Sequence, residues 1–327
     1  MTKTERLQAV LSRRPVDRVP VSFWRHVPAV DHTAAGLAQA MLEFHRRWDL
    51  DFIKVMSSGV YCVEDWGCRV AYRGSPYGAK QCTQHAVQSR GDWARIKPID
   101  PGAGALGREL EAIRLIRQGR ADDAPILHTV YTPLTIARKL AGDRLRSDLR
   151  TAPDAVAAAL AVIAETTSRH AASALEAGAD GFFFATQSSC LEAFSREETT
   201  RWEVPYAQRV VERGMRGSRI TLLHIHGRDI YFDLLAGLPV HAINWPDRLT
   251  APALAEARRR TARALVGGLN EGDTLRRASA AAAAAEVRDA IRQAAGTGLI
   301  VAPGCALPLD VPDHALDAVV DAARSGG

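Results

Sequence analysis

Short, almost wholly apolar runs alternate along this chain with longer stretches whose apolar residues recur every three or four positions. The runs fall at residues 19–24, 52–56, 126–130, 181–185, 220–224, 240–244, 264–268 and 299–302. A strand buried on both faces reads as a continuous apolar run, so these predict parallel strands covered by helices. Leu37, Met41, Phe44 and Trp48 step by three or four and predict a helix over 33–47. Further helices are predicted around 106–118, over 153–177 with Gly178 as a C-terminal stop, and within 196–213. Others follow near 231–235, over 252–263 with Pro252 in its first turn, from the alanine tract 280–285 to 295, and over 313–324. Eight strand–helix units fit 327 residues better as a closed ring than as an open sheet. The predicted fold is therefore α/β, a (β/α)8 TIM barrel with a closed parallel sheet and outer helices. It is expected to be one domain over residues 1–327, with 61–99 as an elaborated loop after the second strand.

Composition narrows the partners more than the fold. The net charge of +5 comes mainly from arginines on predicted helices, such as Arg258, Arg259 and Arg260, interleaved with acids. No basic motif with interleaved aromatics is present, so nucleic acid is not an expected partner, whereas an anionic small-molecule substrate suits the charge. The five cysteines (Cys62, Cys68, Cys82, Cys190, Cys305) are odd in number and irregularly spaced. That argues against a disulfide framework and for a reducing compartment. The N-terminal stretch has no apolar signal core, and no run approaches the ~18 apolar residues of a membrane helix. A cytoplasmic protein without a membrane partner is expected, and a homodimer is compatible with the sequence. Gly102-Ala103-Gly104-Ala105-Leu106-Gly107 has the G-x-G-x-x-G spacing of a dinucleotide loop. That loop needs an apolar strand before it, and Lys97-Pro98-Ile99-Asp100-Pro101 is not one.

In a barrel the chemistry sits on the loops that follow the strands. His224-Ile225-His226 ends one predicted strand, and residues two apart on a strand share a face, so both imidazoles can turn toward the barrel mouth. Cys305, just after the last strand, would complete three protein ligands, the count of a catalytic zinc site with an open fourth position. The spacing alone fits equally a hydrogen-bonded core histidine and a small buried thiol. Arg25 follows the first predicted strand, where its planar fork can clamp a carboxylate or phosphate, or else form a surface ion pair. Glu64 and Asp65, flanked by Cys62 and Cys68, are candidate acid–base groups or solvated loop acids. Tyr131, Gln187 and Asn270 stand at strand ends as candidate pocket residues.

Several segments carry a resemblance. Asp17-Arg18-Val19-Pro20-Val21-Ser22-Phe23-Trp24-Arg25, Thr132-Pro133-Leu134-Thr135 and Ala177-Gly178-Ala179-Asp180 are three of them. Gly268-Leu269-Asn270 and Gly304-Cys305-Ala306-Leu307 are two more. Together they resemble the uroporphyrinogen decarboxylase superfamily over nearly the whole chain. The resemblance implies one of two chemistries. Metal-free decarboxylases of tetrapyrroles carry an arginine at Arg25, an aspartate near Ser58, a tyrosine near Lys139 and a histidine at Cys305. Only the arginine is kept here. Zinc-dependent methyltransferases that move methyl groups from corrinoid proteins to thiols carry His-x-Cys and a later Cys, where this chain has His224-x-His226 and Cys305. Imidazole and thiolate both suit zinc. The resemblance therefore implies Zn2+ on His224, His226 and Cys305, with a corrinoid methyl donor and a corrinoid protein partner. Arg25, Glu64, Asp65 and Tyr131 are then the expected catalytic side chains, and Arg25, Gln187 and Asn270 the expected substrate contacts. Two alternatives stay open: a decarboxylase acting on uroporphyrinogen or a smaller carboxylated substrate, and a non-catalytic corrinoid or tetrapyrrole carrier.

Overall fold

In a computed structural model, residues 1–277 and 279–326 are described. Seven parallel strands form one sheet in the order β1 (Ile53–Val55), β4 (Ile126–Tyr131), β5 (Gly181–Thr186), β6 (Ile220–Ile225), β7 (Ala242–Asn244), β8 (Ala264–Leu269) and β9 (Leu299–Pro303). Every residue of these strands is buried, as the unbroken apolar runs require. Helices cover the outer face. The helix Ala34–Trp48 turns Leu37, Ala38, Met41 and Trp48 inward, and the charged residues of its last turn lie opposite. Each large apolar side chain buried this way stabilises the fold by about 1.5–3 kcal/mol.

The predicted strand at 19–24 is not a regular strand. Only Val21 bridges to Val301 of β9. The reasons are local: Pro20 has no N–H to give, and the Val21 N–H is spent on the Asp51 carboxylate at 2.8 Å. The segment is nevertheless bonded on both sides. Ser22 N donates to the Val301 carbonyl and Val301 N to that of Pro20, while Asp51 N donates to the Val21 carbonyl and the Ser22 hydroxyl to that of Phe52. Asp51 anchors this junction, since it also accepts from Arg6 at 2.8 Å and from Arg18 at 2.7 Å.

The expected irregular loop over 61–99 contains structure of its own. A short helix, Tyr61–Glu64, leads to an antiparallel hairpin of β2 (Arg69–Tyr72) and β3 (Lys80–Gln84). Helices Pro133–Ala141 and Arg144–Thr151, not expected from the sequence, follow β4, with Pro133 at a first helical position. The expected helix within 196–213 is two, Arg196–Trp202 and Val204–Gly214, broken beside Pro205. No helix among the described residues is long and apolar enough to cross a membrane.

Candidate active site

His224 lies in β6 and His226 directly follows its end. His224, the penultimate residue of β6, is buried and lies against Phe183 of β5, with ring centroids 5.2 Å apart. His226 keeps the strand path, its N–H donating to the Thr186 carbonyl, and its ring centroid is 6.0 Å from that of His224. Gly227, with φ 111°, then turns the chain away, a conformation other residues reach only with strain. On the far side of the sheet, β9 delivers Cys305. A Cβ on the preceding Gly304 would lie 2.4 Å from Cα of Pro246, so only glycine lets this backbone pass. Cys305 Sγ is 3.4 Å from His226 Nδ1 and 4.0 Å from His224 Nε2. One donor atom from each of the three residues lies within 4.8 Å of the others.

The surroundings fit the trio to a cation. Register pairs His224 with Asn244 on β7, and Asn244 Oδ1 lies 2.6 Å from His224 Nδ1. The Asn244 amide nitrogen donates to the carbonyls of Val266 and Pro303, at 2.8 and 3.1 Å. These two bonds fix which end of the amide is oxygen. The oxygen must then accept from Nδ1–H, which leaves Nε2, the nitrogen facing Cys305, as the free lone pair. Outer-shell bonds of this kind orient metal-binding histidines. The His226 ring is exposed at the wall of a recess, and partial desolvation, followed by the positive charge of Lys139, pushes its pKa down. The neutral imidazole that a metal requires is favoured.

That recess is a chamber of about 380 Å³. His226 and Gln187 line it with Arg138 and Lys139, which supply positive charge beside Asp143, whereas the lining Lys80 is paired with the buried Asp31. Lys139 Nζ donates to Gln187 Oε1 at 2.6 Å and sits 4.7 Å above the Tyr131 ring. Tyr131 is thus buried beneath the cationic wall, and burial pushes its phenol pKa well up, so it stays a neutral hydroxyl.

The other expected site residues lie elsewhere. Phe23 packs on Trp48 of an outer helix, whereas Trp24 packs on Phe183 inside. Arg25 therefore shares the outward parity of Phe23. It donates to the Val311 carbonyl at 2.9 Å and lies over the Phe44 ring of the helix Ala34–Trp48. Glu64 pairs with Arg108 at 2.9 Å. Asp65 accepts from the amides of Ala105 and Leu106, at 2.8 and 3.0 Å, and so caps the helix Gly104–Gly119. The amides that a phosphate would need at the G-x-G-x-x-G spacing are thus already taken. Asp65→Ala is expected to lower stability by about 0.5–2 kcal/mol, measured by urea denaturation, and to leave turnover unchanged. Asn270 caps its own loop, its side-chain oxygen accepting from Asp273 N at 3.1 Å.

Two residues near the trio escaped the sequence. Lys54, in the apolar run of β1, points inward with Nζ 4.3 Å from the Phe183 ring centre. Burial lowers its pKa to about 7, against an opposing pull from Cys305. A lysine inside a run of apolar residues was the available signal. Glu271, next to Asn270, is buried and accepts from Gly304 N at 3.0 Å, which holds the approach to Cys305. Burial raises its pKa.

Comparison with known proteins places this geometry in a family. Residues 2–326 match the profile of uroporphyrinogen decarboxylase (URO-D). The methylcobamide:CoM methyltransferase MtbA of Methanosarcina mazei is 24% identical over 242 residues, covering 69% of this chain and 70% of that protein. MtbA of Methanosarcina acetivorans is similar to the same extent. Among solved structures, a methyltransferase from Methanosarcina mazei superposes with a TM-score of 0.83 at 22% identity, over 99% of this chain and 98% of that one. A B12-independent methionine synthase from Shewanella shares the fold at TM-score 0.63 and 14% identity, over 94% of this chain and 96% of that one.

Proposed function

The chain belongs to the uroporphyrinogen decarboxylase family, and from that premise we propose that it is a methyltransferase. It would carry a methyl group from a corrinoid donor, held on a partner protein, to the thiol of a small anionic acceptor. The observation that carries this reading is the convergence of His224, His226 and Cys305 within 4.8 Å, with the His224 tautomer set by Asn244. These three would hold Zn2+. When bound, such an ion lowers the pKa of a thiol and stabilises the thiolate that attacks the methyl carbon. Arg138 and Lys139 would receive the acceptor's anionic end, and Gln187 would hold the Lys139 ammonium in place. Tyr131 supplies the apolar floor beneath that ammonium. Glu271 keeps Cys305 in position through the Gly304 amide. The bonds from Pro20–Ser22 to both β9 and residues 51–52 support a closed ring around the site, in one domain. A tetrapyrrole decarboxylase is less well supported, because buried Ser58 stands where that chemistry has its carboxylate.

The test is transfer from methylcobalamin to small thiols, followed by loss of the thiol and by the change in corrin absorbance. Transfer to an anionic thiol, and slower transfer to a neutral one of equal size, supports the proposal. Release of CO2 from carboxylated pyrroles by metal-free protein would replace it. Lys139→Met is expected to raise KM for the anionic thiol by about tenfold, the worth of a charged hydrogen bond. The change in kcat should be much smaller, because the lysine holds the acceptor and not the reacting atoms. An unchanged KM would remove Lys139 from the acceptor site.

A further inference from the structure

The hairpin at the chamber's rim brings together three residues that the proposed methyl transfer does not use. Cys68 immediately precedes β2, Cys82 lies within β3, and His85 follows it directly. The antiparallel register sets Val70 opposite Cys82 and Arg69 opposite Gln84, with an irregularity between Arg69 and Val70. That folds Cys68 back onto the other end of the hairpin. One donor atom from each of Cys68, Cys82 and His85 lies within 4.8 Å of the others, and both cysteines are free thiols.

Backbone groups already hold two of the three side chains. His85 Nδ1 lies 2.9 Å from the Lys139 carbonyl oxygen, an acceptor, so Nδ1 carries the proton and Nε2 keeps its lone pair. Cys68 Sγ accepts from the Ala86 amide at 3.3 Å and lies 3.8 Å from the Lys139 carbonyl oxygen, so backbone groups hold the sulfur in place. Cys82 and His85 both line the chamber, which supplies solvent as a further ligand.

From this the geometry points to a second metal site, in which Cys68, Cys82 and His85 bind a soft or borderline divalent cation such as zinc or cadmium at the rim of the chamber. Two thiolates and one imidazole are a set that such ions prefer, and oxygen-seeking calcium or magnesium would not compete. Binding releases the protons of the two thiols and changes no oxidation state. A disulfide between Cys68 and Cys82 would account for the thiols but not for the fixed histidine.

The test uses full-length protein carrying His226→Ala and Cys305→Ala, stripped of metal, kept reduced and titrated with Cd2+ or Zn2+. One equivalent is expected to bind, with the ultraviolet absorption of cadmium–thiolate bonds and with Cys68 and Cys82 protected from alkylation in peptide maps. Adding Cys82→Ser should abolish that equivalent, and adding His85→Ala should weaken it at least tenfold. Cys82 is only half-buried on a hairpin, so the serine variant should keep the parent's circular dichroism. No bound equivalent, binding unchanged by Cys82→Ser, or thiols that react equally with and without metal would overturn the proposal. Because the trio of the methyl-transfer site is removed beforehand, failure here leaves that reading untouched.

Discussion

Cys305→Ala is expected to lower methyl transfer by more than about 100-fold, beyond the 10–100-fold typical of losing an outer-shell partner of a metal site. Zinc retention at the trio should fall with it, while the fold and melting temperature stay near those of the parent. The reasoning is geometric. Among the described residues Cys305 is the only sulfur within reach of His224 and His226, at 4.0 and 3.4 Å, and it follows β9, three strands away from β6. Two imidazoles alone bind zinc more weakly and leave the ion more positive. His226→Ala should behave alike, since His226 is the member of the trio that meets the chamber. Asn244→Ala should fall between, because it frees the His224 ring without deleting a ligand. Activity assays on all three, with zinc measured on the same samples, check this order. Equal activity in Cys305→Ala and parent would remove the trio from the chemistry.

The second large effect is on stability. Asp51→Ala is expected to cost about 3–5 kcal/mol, the usual consequence of breaking one side of a buried ion pair. Asp51 is fully buried, and its carboxylate serves Arg6, Arg18 and the Val21 amide at once. Removing it leaves the Arg6 guanidinium, itself 6% exposed, with only the half-exposed Asp17 for compensation. The same change unties the Pro20–Ser22 segment from residues 51–52. Chemical denaturation of the variant gives the number, and a loss below about 1 kcal/mol would mean that the junction is held otherwise. Arg18→Met, which removes a more exposed partner, should cost clearly less.

The account of Asp51 also shows what the sequence could and could not disclose. Strands such as Ile220–Ile225 were legible because burial on both faces demands an unbroken apolar run. The segment at 19–24 has such a run, yet Pro20 and a carboxylate thirty residues away decide its hydrogen bonding, and neither effect is periodic. The hairpin of β2 and β3 was illegible for the opposite reason. Arg69–Tyr72 and Lys80–Gln84 have no buried residue, so no alternation is imposed on them. Cys68, Cys82 and His85 consequently looked unrelated. The two-residue step of His224 and His226 and the strand-end position of Cys305 made the convergence of these three side chains legible. For Arg25 the place in the chain was legible, whereas the direction of its side chain depends on the Val311 carbonyl and the Phe44 ring, which no local pattern shows. Glu64 and Asp65 read in the sequence as candidate acid–base groups or solvated loop acids, whereas their partners, Arg108 and the amides of Ala105 and Leu106, lie some forty residues on.

The most direct measurement is the zinc-edge X-ray absorption spectrum of protein in which Cys68→Ser and Cys82→Ser have silenced the hairpin. The account predicts one zinc per chain with a single sulfur at about 2.3 Å and imidazole nitrogens at about 2.0–2.1 Å. Absence of zinc, or a first shell of oxygen and nitrogen without sulfur, would contradict it.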